Sequence, residues 1–308
     1  MRRRNFIAGL ASTTAALPLT ARAQQRAMPV IGFLDSRAPN DAPQLLTAIR
    51  QGLKETGFVE GQNVAIEYRF AENHNERLPA LAADLVHRQV TVLVTPPTPA
   101  ALAAKAATST VPIIFLTAGD PVQLGLVASL ARPGGNATGV TILAVAVAAK
   151  RLELLHQLIP AVHVVALLVN PENPDLAEAN SNSVQSAART LGLELYVLNA
   201  STERDFDAVF AKLAQLHAGG LVIGGDPFFT AKQEQLAALA VRHAVPVVYE
   251  NREFAAAGGL MSYGGNITDA FRLAGVYAAR ILKGEKPGDL PVQLATRIAL
   301  AINLKTAK

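Results

Sequence analysis

Two stretches of this chain repeat one another, and the repeat restricts the fold more than any other feature. Thr91 to Asp120 and Gly220 to Asn251 each run through an apolar strand, a proline-containing turn, an alanine-rich helix, a Val-Pro strand and a polar loop. The first copy reads VLVTPPTP and then VPIIFLTAGD; the second reads LVIGGDPF and then VPVVYEN. Two copies of one strand–helix–strand unit predict two similar α/β lobes, each with its own core. With 308 residues, half of them hydrophobic, the chain is long enough to fill both.

The same rhythm extends outward from the repeat. Val30 to Leu34 is an apolar run suited to a buried strand, and Asp35-Ser36-Arg37 is the polar loop behind it. Asp41 and Pro43 mark a helix start, and Leu45, Leu46, Ile49 and Leu53 recur at helical spacing until Gly57. Val64, Ile66, Tyr68 and Phe70 alternate as in a strand; a helix through Leu78, Leu81 and Leu85 leads to a strand at Val90 to Val94. Thr98 is then placed to cap a helix whose first turn contains Pro99, and Pro121 is placed to open another. Beyond Thr141 come a helix around Leu152 to Leu158 and strands at Val162 to Val169 and Leu193 to Leu198. Thr202 opens a helix striped by Phe206, Val209, Phe210 and Leu213. Gly258 to Gly265 reads as a short strand and hinge, Asp269 to Leu282 as a helix returning to the first lobe, and Pro291 to Leu304 as a final strand crossing back.

The expected fold class is therefore α/β: two Rossmann-like lobes with parallel sheets, joined by a hinge of about three crossovers. Residues 28–142 with about 266–287 make lobe 1, and residues 143–265 with about 288–308 make lobe 2.

Met1 to Ala23 has a basic start, an apolar middle and the small-residue exit Ala21-Arg22-Ala23, the layout of a cleaved signal peptide. Arg3-Arg4-Asn5-Phe6-Ile7 is similar to a twin-arginine export signal, though an ordinary secretory leader has the same outline. Removing the four arginines of this leader from the 28 basic residues leaves 24, equal to the 24 acidic ones. A neutral chain has no general attraction for nucleic acid or an anionic membrane. Cysteine is absent, which excludes disulfides, thiol catalysis and a lipidated N-terminal cysteine. The expected location is the periplasm, without a membrane anchor.

In open α/β sheets, ligands collect at the carboxyl ends of the strands. Those ends supply Ser36, Thr95, Thr98, Thr117, Asp120, Asn170, Asp226, Tyr249, Glu250, Ser262 and Tyr263, with Phe228 just beyond Asp226. Backbone donors and the hydroxyl around Thr95 to Thr98, near a helix start, suit an anionic group. Asp226 or Glu250 suits a ligand ammonium, and Phe228, Tyr249 and Tyr263 suit aromatic walls. Each has a structural alternative: Asp120 and Asp226 as helix caps, Phe228 and Tyr249 as core, Glu250 as a solvated loop charge. The six histidines are scattered, and no metal, nucleophile-elbow, phosphate-loop or dinucleotide motif is present. The composition thus points to binding rather than catalysis, with no cofactor and no metal.

The run GDPVQLGLVASLARPGGNATGVT, with VPVVYENREFAAAGGLMSYG and LKGEKPGDLPVQ, resembles the periplasmic substrate-binding proteins that include tryptophan-binding components of ABC transporters. The resemblance covers nearly the whole chain after Met28. It implies the type I periplasmic binding protein fold and a monomeric carrier of a small solute, an amino acid, aromatic by preference. It further implies delivery to an inner-membrane ABC permease and its ATPase, in place of catalysis. A ligand-sensing partner of a membrane receptor, or a periplasmic enzyme on the same scaffold, shares these sequence features.

Overall fold

Short apolar runs, each ended by a polar loop, assemble into two sheets of six strands. The structure is a computed structural model that describes residues 28–41, 43–142, 144–295 and 298–307; the expected leader Met1 to Ala23 lies outside them. The first sheet contains β1 (Val30–Asp35), β2 (Ala65–Phe70), β3 (Val92–Thr95), β4 (Ile113–Thr117), β5 (Ala137–Thr141) and β11 (Gln293–Leu294). Its order is β11-β5-β4-β3-β1-β2. The second contains β6 (Val164–Val169), β7 (Glu194–Asn199), β8 (Gly220–Ile223), β9 (Val247–Tyr249), β10 (Met261–Gly265) and β12 (Ile298–Ile302), in the order β12-β10-β9-β8-β6-β7. The two orders match strand for strand, so the sequence repeat is a repeat of topology. All neighbours run parallel except β12, which is antiparallel to β10.

Parallel strands need helical crossovers, and these cover both faces of each sheet. On the first sheet, α1 (Pro43–Glu55) and α10 (Ile267–Leu282) bury Leu45, Ile49, Leu53, Phe271 and Ala274 on one side. On the other side α2 (Leu78–His87) and α3 (Thr98–Ala107) bury Leu78, Leu85, Ala101 and Ala104. The second sheet is covered by α4 (Ala148–Leu158) and α5 (Pro174–Leu191) through Leu152, Leu155 and Val184. Its opposite face meets α6 (Asp205–Gln215), α7 (Pro227–Ala231), α8 (Gln233–Arg242) and α9 (Arg252–Ala256) through Phe206, Phe210, Phe229, Leu236 and Phe254. Each fully buried large side chain contributes about 1.5–3 kcal/mol of hydrophobic stabilisation before entropy is counted.

The chain passes between the sheets after β5, after β10 and between β11 and β12. The second passage carries α10 from the end of β10 to the first sheet, where it lies along α1. The two helix backbones touch at glycines: a Cβ on Gly52 would collide with the Arg272 carbonyl, and one on Gly275 with that of Ile49.

Four local expectations differ from the structure. Thr98 does not cap α3 but is its first residue, because its hydroxyl is already paired with Thr117 Oγ1 at 2.8 Å. Pro121 opens no helix: Leu126 N reaches the Pro121 carbonyl, and Gly125, at φ 69°, turns the chain away after one turn. α6 starts at Asp205 rather than Thr202, because the Asp205 carboxylate folds back onto the amides of Ser201 and Thr202. Pro291 to Leu304 is not one strand but two, β11 in the first sheet and β12 in the second.

Candidate ligand-binding site

In both sheets the strand order reverses at the centre, between β1 and β3 and between β6 and β8. At such a reversal the outgoing loops diverge to opposite faces and leave a crevice beyond the carboxyl ends. The loops after β1 and β3 here face the loops after β6, β8 and β9 of the other lobe. Among the described residues three inter-lobe spaces stand out.

The central one, about 30 Å³, lies among Arg37, Thr98, Leu116, Ile142 and Phe271 of the first lobe and Leu176, Asp226, Thr230 and Glu250 of the second. A neighbouring space of about 20 Å³ is bordered by Ser36, Asn73 and Asn75 on one side and Asn170, Asn173 and Asp226 on the other. A wider groove of about 660 Å³ opens between Leu102, Ala118 to Asp120 and Leu124 and the α5 residues Asp175 to Ser183. It shares Ala118 and Leu176 with the central space. A larger concavity, about 920 Å³, is elsewhere, at the far end of the second sheet around Val241, Pro246, Leu260 and Thr306. It is bounded by one lobe, away from the strand ends where polar groups converge, so volume alone does not mark the site.

The lobes are drawn together in this structure. Asn75 Nδ2 donates to the Glu172 carbonyl across the gap at 3.1 Å, and Lys232 Nζ stands 3.8 Å from Asp41 Oδ1 while bound to Glu203 at 2.7 Å. A 30 Å³ space holds a water or two and no amino acid, so any larger guest enters with the lobes parted.

Charge in the cleft is distributed between the lobes. Arg37, buried after β1, donates from Nε and Nη2 to Asp35 at 3.0 and 2.6 Å, and its guanidinium lies over the Phe271 ring. Asp226 caps α7: Oδ1 accepts from Phe228 N at 2.8 Å and Asn170 Nδ2 at 3.1 Å, and Oδ2 from Asn173 Nδ2 at 3.0 Å. Burial pushes its carboxyl above the ordinary value, and the three donors pull against that shift. Glu250, at the end of β9, is not a solvated loop charge but is 5% exposed. Burial raises its carboxyl to about 7; Arg151, 3.9 Å away, pulls down, and Asp226 pushes up. Glu250 Oε2 has no hydrogen bond. Gly225 leaves it room, since a Cβ there would stand 2.8 Å from that oxygen.

Of the residues expected at the site, Ser36, Thr98, Asp120, Asn170, Asp226, Phe228 and Glu250 border the inter-lobe spaces. Asp120 accepts from Val122 N at the groove rim, and Phe228 stacks on Phe206 within the second core. Thr95, Thr117, Tyr249, Ser262 and Tyr263 border none of the three. Thr117 supports Thr98 from behind, and Tyr249 turns its hydroxyl inward to Thr230 Oγ1 at 2.9 Å. Sequence reasoning missed Arg37, Asn173, Thr230 and Phe271. Arg37 carried a signal, a carboxylate two residues earlier at a strand end; Phe271 carried none, because it falls in the apolar stripe of α10.

Comparison with known proteins decides the family. The model of the family described as ABC transporter substrate binding protein matches residues 41–308. The chain belongs to that family. A curated relative, the tyrosine-binding protein of Clostridioides difficile, is 26% identical over 259 residues, 84% of this chain and 74% of its own. A conserved domain protein from Vibrio cholerae superposes with a TM-score of 0.80 at 26% identity, covering 91% of this chain and 93% of that one. An ABC domain from Streptococcus pneumoniae in complex with L-Trp gives 0.78 at 23% identity, with the same coverage. The ligand-free, open structure of a Clostridium difficile substrate-binding protein gives 0.63 at 22% identity, covering 90% and 93%. As a family member the chain has the type I periplasmic binding protein fold, and among its described residues no helix is long and apolar enough to cross a membrane.

Proposed function

We propose that this protein is the exported solute-binding component of an ABC importer, and that it captures an amino acid with an aromatic side chain by closing its lobes. The observation that carries the reading is the pairing of opposite charges across the central cleft: the Arg37 guanidinium on one lobe and, on the other, the Glu250 carboxyl, whose Oε2 accepts no hydrogen bond. Nε and Nη2 of Arg37 hold Asp35, which leaves Nη1 for an α-carboxylate. Glu250 suits the α-ammonium, since a buried cation requires a partner. The apolar stretch from Leu116 and Phe271 through Leu176 to Leu102 and Leu124 provides a path for a large side chain. The tyrosine and tryptophan ligands of the relatives support the choice.

Function then follows from differential contact. A ligand touching both lobes binds the closed form more tightly than the open one and shifts the population toward it. The permease and its ATPase receive the closed shape that the ligand favours. Isothermal titration of the mature protein with the twenty amino acids tests this, with L-tyrosine or L-tryptophan expected to bind in the micromolar range or tighter. The reading is wrong if no amino acid binds, or if mass spectrometry of the purified protein releases a solute lacking an ammonium group.

A further inference from the structure

We propose that Arg151 is a positioning residue: it holds the Glu250 carboxylate ready for a ligand ammonium and ties that carboxylate to the first chain crossing between the lobes and to β10, the strand that leads into the second. This rests on the reading of the cleft as an amino-acid site.

Arg151 lies on α4 and is completely buried, the largest side chain among the described residues to be so. Its Nη2 donates to the Ala144 carbonyl at 3.0 Å, in the first crossing, and Nη1 to the Tyr263 carbonyl at 3.4 Å, near the end of β10 where the second crossing begins. A guanidinium has five N–H donors, and here Nε has no acceptor. The nearest carboxylate, Glu250, stands at 3.9 Å with Oε2 equally unpartnered. A merely structural buried pair closes to hydrogen-bonding distance, because desolvating two charges is otherwise costly. These two remain apart, and the Glu250 side chain borders the cleft.

The charged and titratable groups facing Glu250 come from several elements. Arg151 approaches from α4, Asp226 from the start of α7, and Tyr249 precedes it on β9; Arg37, which is paired with Asp35 behind it, faces the same cavity from the first lobe. Burial and Asp226 favour the neutral acid, and Arg151 opposes them, which leaves the carboxyl near the middle of its titration at neutral pH. Without Arg151 those two upward influences stand unopposed, and Glu250 becomes a neutral acid that attracts an ammonium weakly. An arriving ammonium completes the ionisation and expels the residual proton. The same guanidinium grips the Ala144 carbonyl in the first crossing and the Tyr263 carbonyl in β10, the strand that leads into the second, so the charged state of the site and the set of the hinge share one side chain.

Two measurements test this, one of them independent of any ligand. In protein labelled with ¹³C at the glutamate carboxyl, the resonance lost in Glu250→Gln reports the Glu250 titration directly. A midpoint near neutrality is expected in the wild type and in Arg151→Lys, which keeps the charge, and a midpoint at least one unit higher in Arg151→Met. Such a shift corresponds to about fivefold weaker binding of L-tyrosine or L-tryptophan at pH 7, recovered near pH 9. Titration calorimetry in buffers of different ionisation heat is expected to show about half a proton released per ligand at pH 7 by the wild type, and none by Glu250→Gln. An unchanged midpoint in Arg151→Met, or a shift of more than one unit in Arg151→Lys, overturns the proposal. Should Arg151→Met fail to fold, Arg151→Gln, which keeps a donor for the carbonyls without the charge, is held to the same shift of at least one unit, and an unchanged midpoint there overturns the proposal. Failure of both amino acids to bind the wild type refutes the amino-acid site instead, and the resonance titration still reports on Arg151.

Discussion

Replacing Asp226 by alanine removes the acceptor on which the floor of the second lobe converges. Its two oxygens take three hydrogen bonds, from Phe228 N, Asn170 Nδ2 and Asn173 Nδ2, at 2.8 to 3.1 Å. Alanine loses the cap of α7, about 1 kcal/mol. It also strands two buried amide groups, at about 1–3 kcal/mol each. The raised carboxyl shows that burial already opposes the charge, which offsets part of that loss. A net destabilisation on the order of 3–5 kcal/mol results for Asp226→Ala. Asp226→Asn keeps the shape and one acceptor oxygen and costs roughly half as much. Urea unfolding of the ligand-free protein at pH 8 measures both, with the slope held to the wild-type value so that the shift in midpoint reads as stability. A loss below about 1 kcal/mol for Asp226→Ala, or equal losses for the two variants, would show that this network does not hold the floor.

Two further predictions concern titration and closure. Because the folded state raises Glu250 from 4.5 to about 7, it binds that proton more tightly than the unfolded chain, so the associated stability is present below about pH 4.5 and is lost as pH rises through 7. Glu250→Gln lacks this loss and is expected to gain on the order of 3 kcal/mol relative to the wild type between pH 4.5 and pH 8; parallel stability curves would refute the burial argument. Asn75→Ala breaks the inter-lobe bond to the Glu172 carbonyl without touching the central cleft, and is expected to weaken amino-acid affinity about 2- to 5-fold through faster dissociation. An unchanged dissociation rate in stopped-flow measurements would remove that bond from the closing contacts.

Much of the fold was legible because buried parallel strands announce themselves as unbroken apolar runs. VVALLV and IIFLT left little choice, and the ends of such runs named Ser36 after β1, Asn170 after β6, Asp226 beyond β8 and Glu250 after β9 as cleft candidates. β5 was harder to see: ATGVT has few apolar residues, and Gly139 belongs there because a Cβ would collide with the Phe115 carbonyl on the adjacent strand. Periodicity also fails where both faces of a strand are buried. It gave no direction for Tyr249, whose hydroxyl turned inward to Thr230, and no warning that Glu250 was shielded from solvent. Arg37 and Arg151 both sat in sequence where a charge ordinarily meets water. Their burial depends on partners brought by the fold, Asp35 and Phe271 for one and the carbonyls of Ala144 and Tyr263 for the other.

The central claim is that the two lobes move together around a guest, and a distance across the cleft measures it. Glu76 and Asp207 are exposed on opposite lobes, and the chain has no cysteine, so Glu76→Cys with Asp207→Cys gives two unambiguous spin-label sites. Pulsed electron resonance is expected to show a broad, longer distance distribution without ligand, and a narrow, shorter one with L-tyrosine or L-tryptophan at saturation. An identical distribution in the two samples, while calorimetry records binding, would contradict capture by closure.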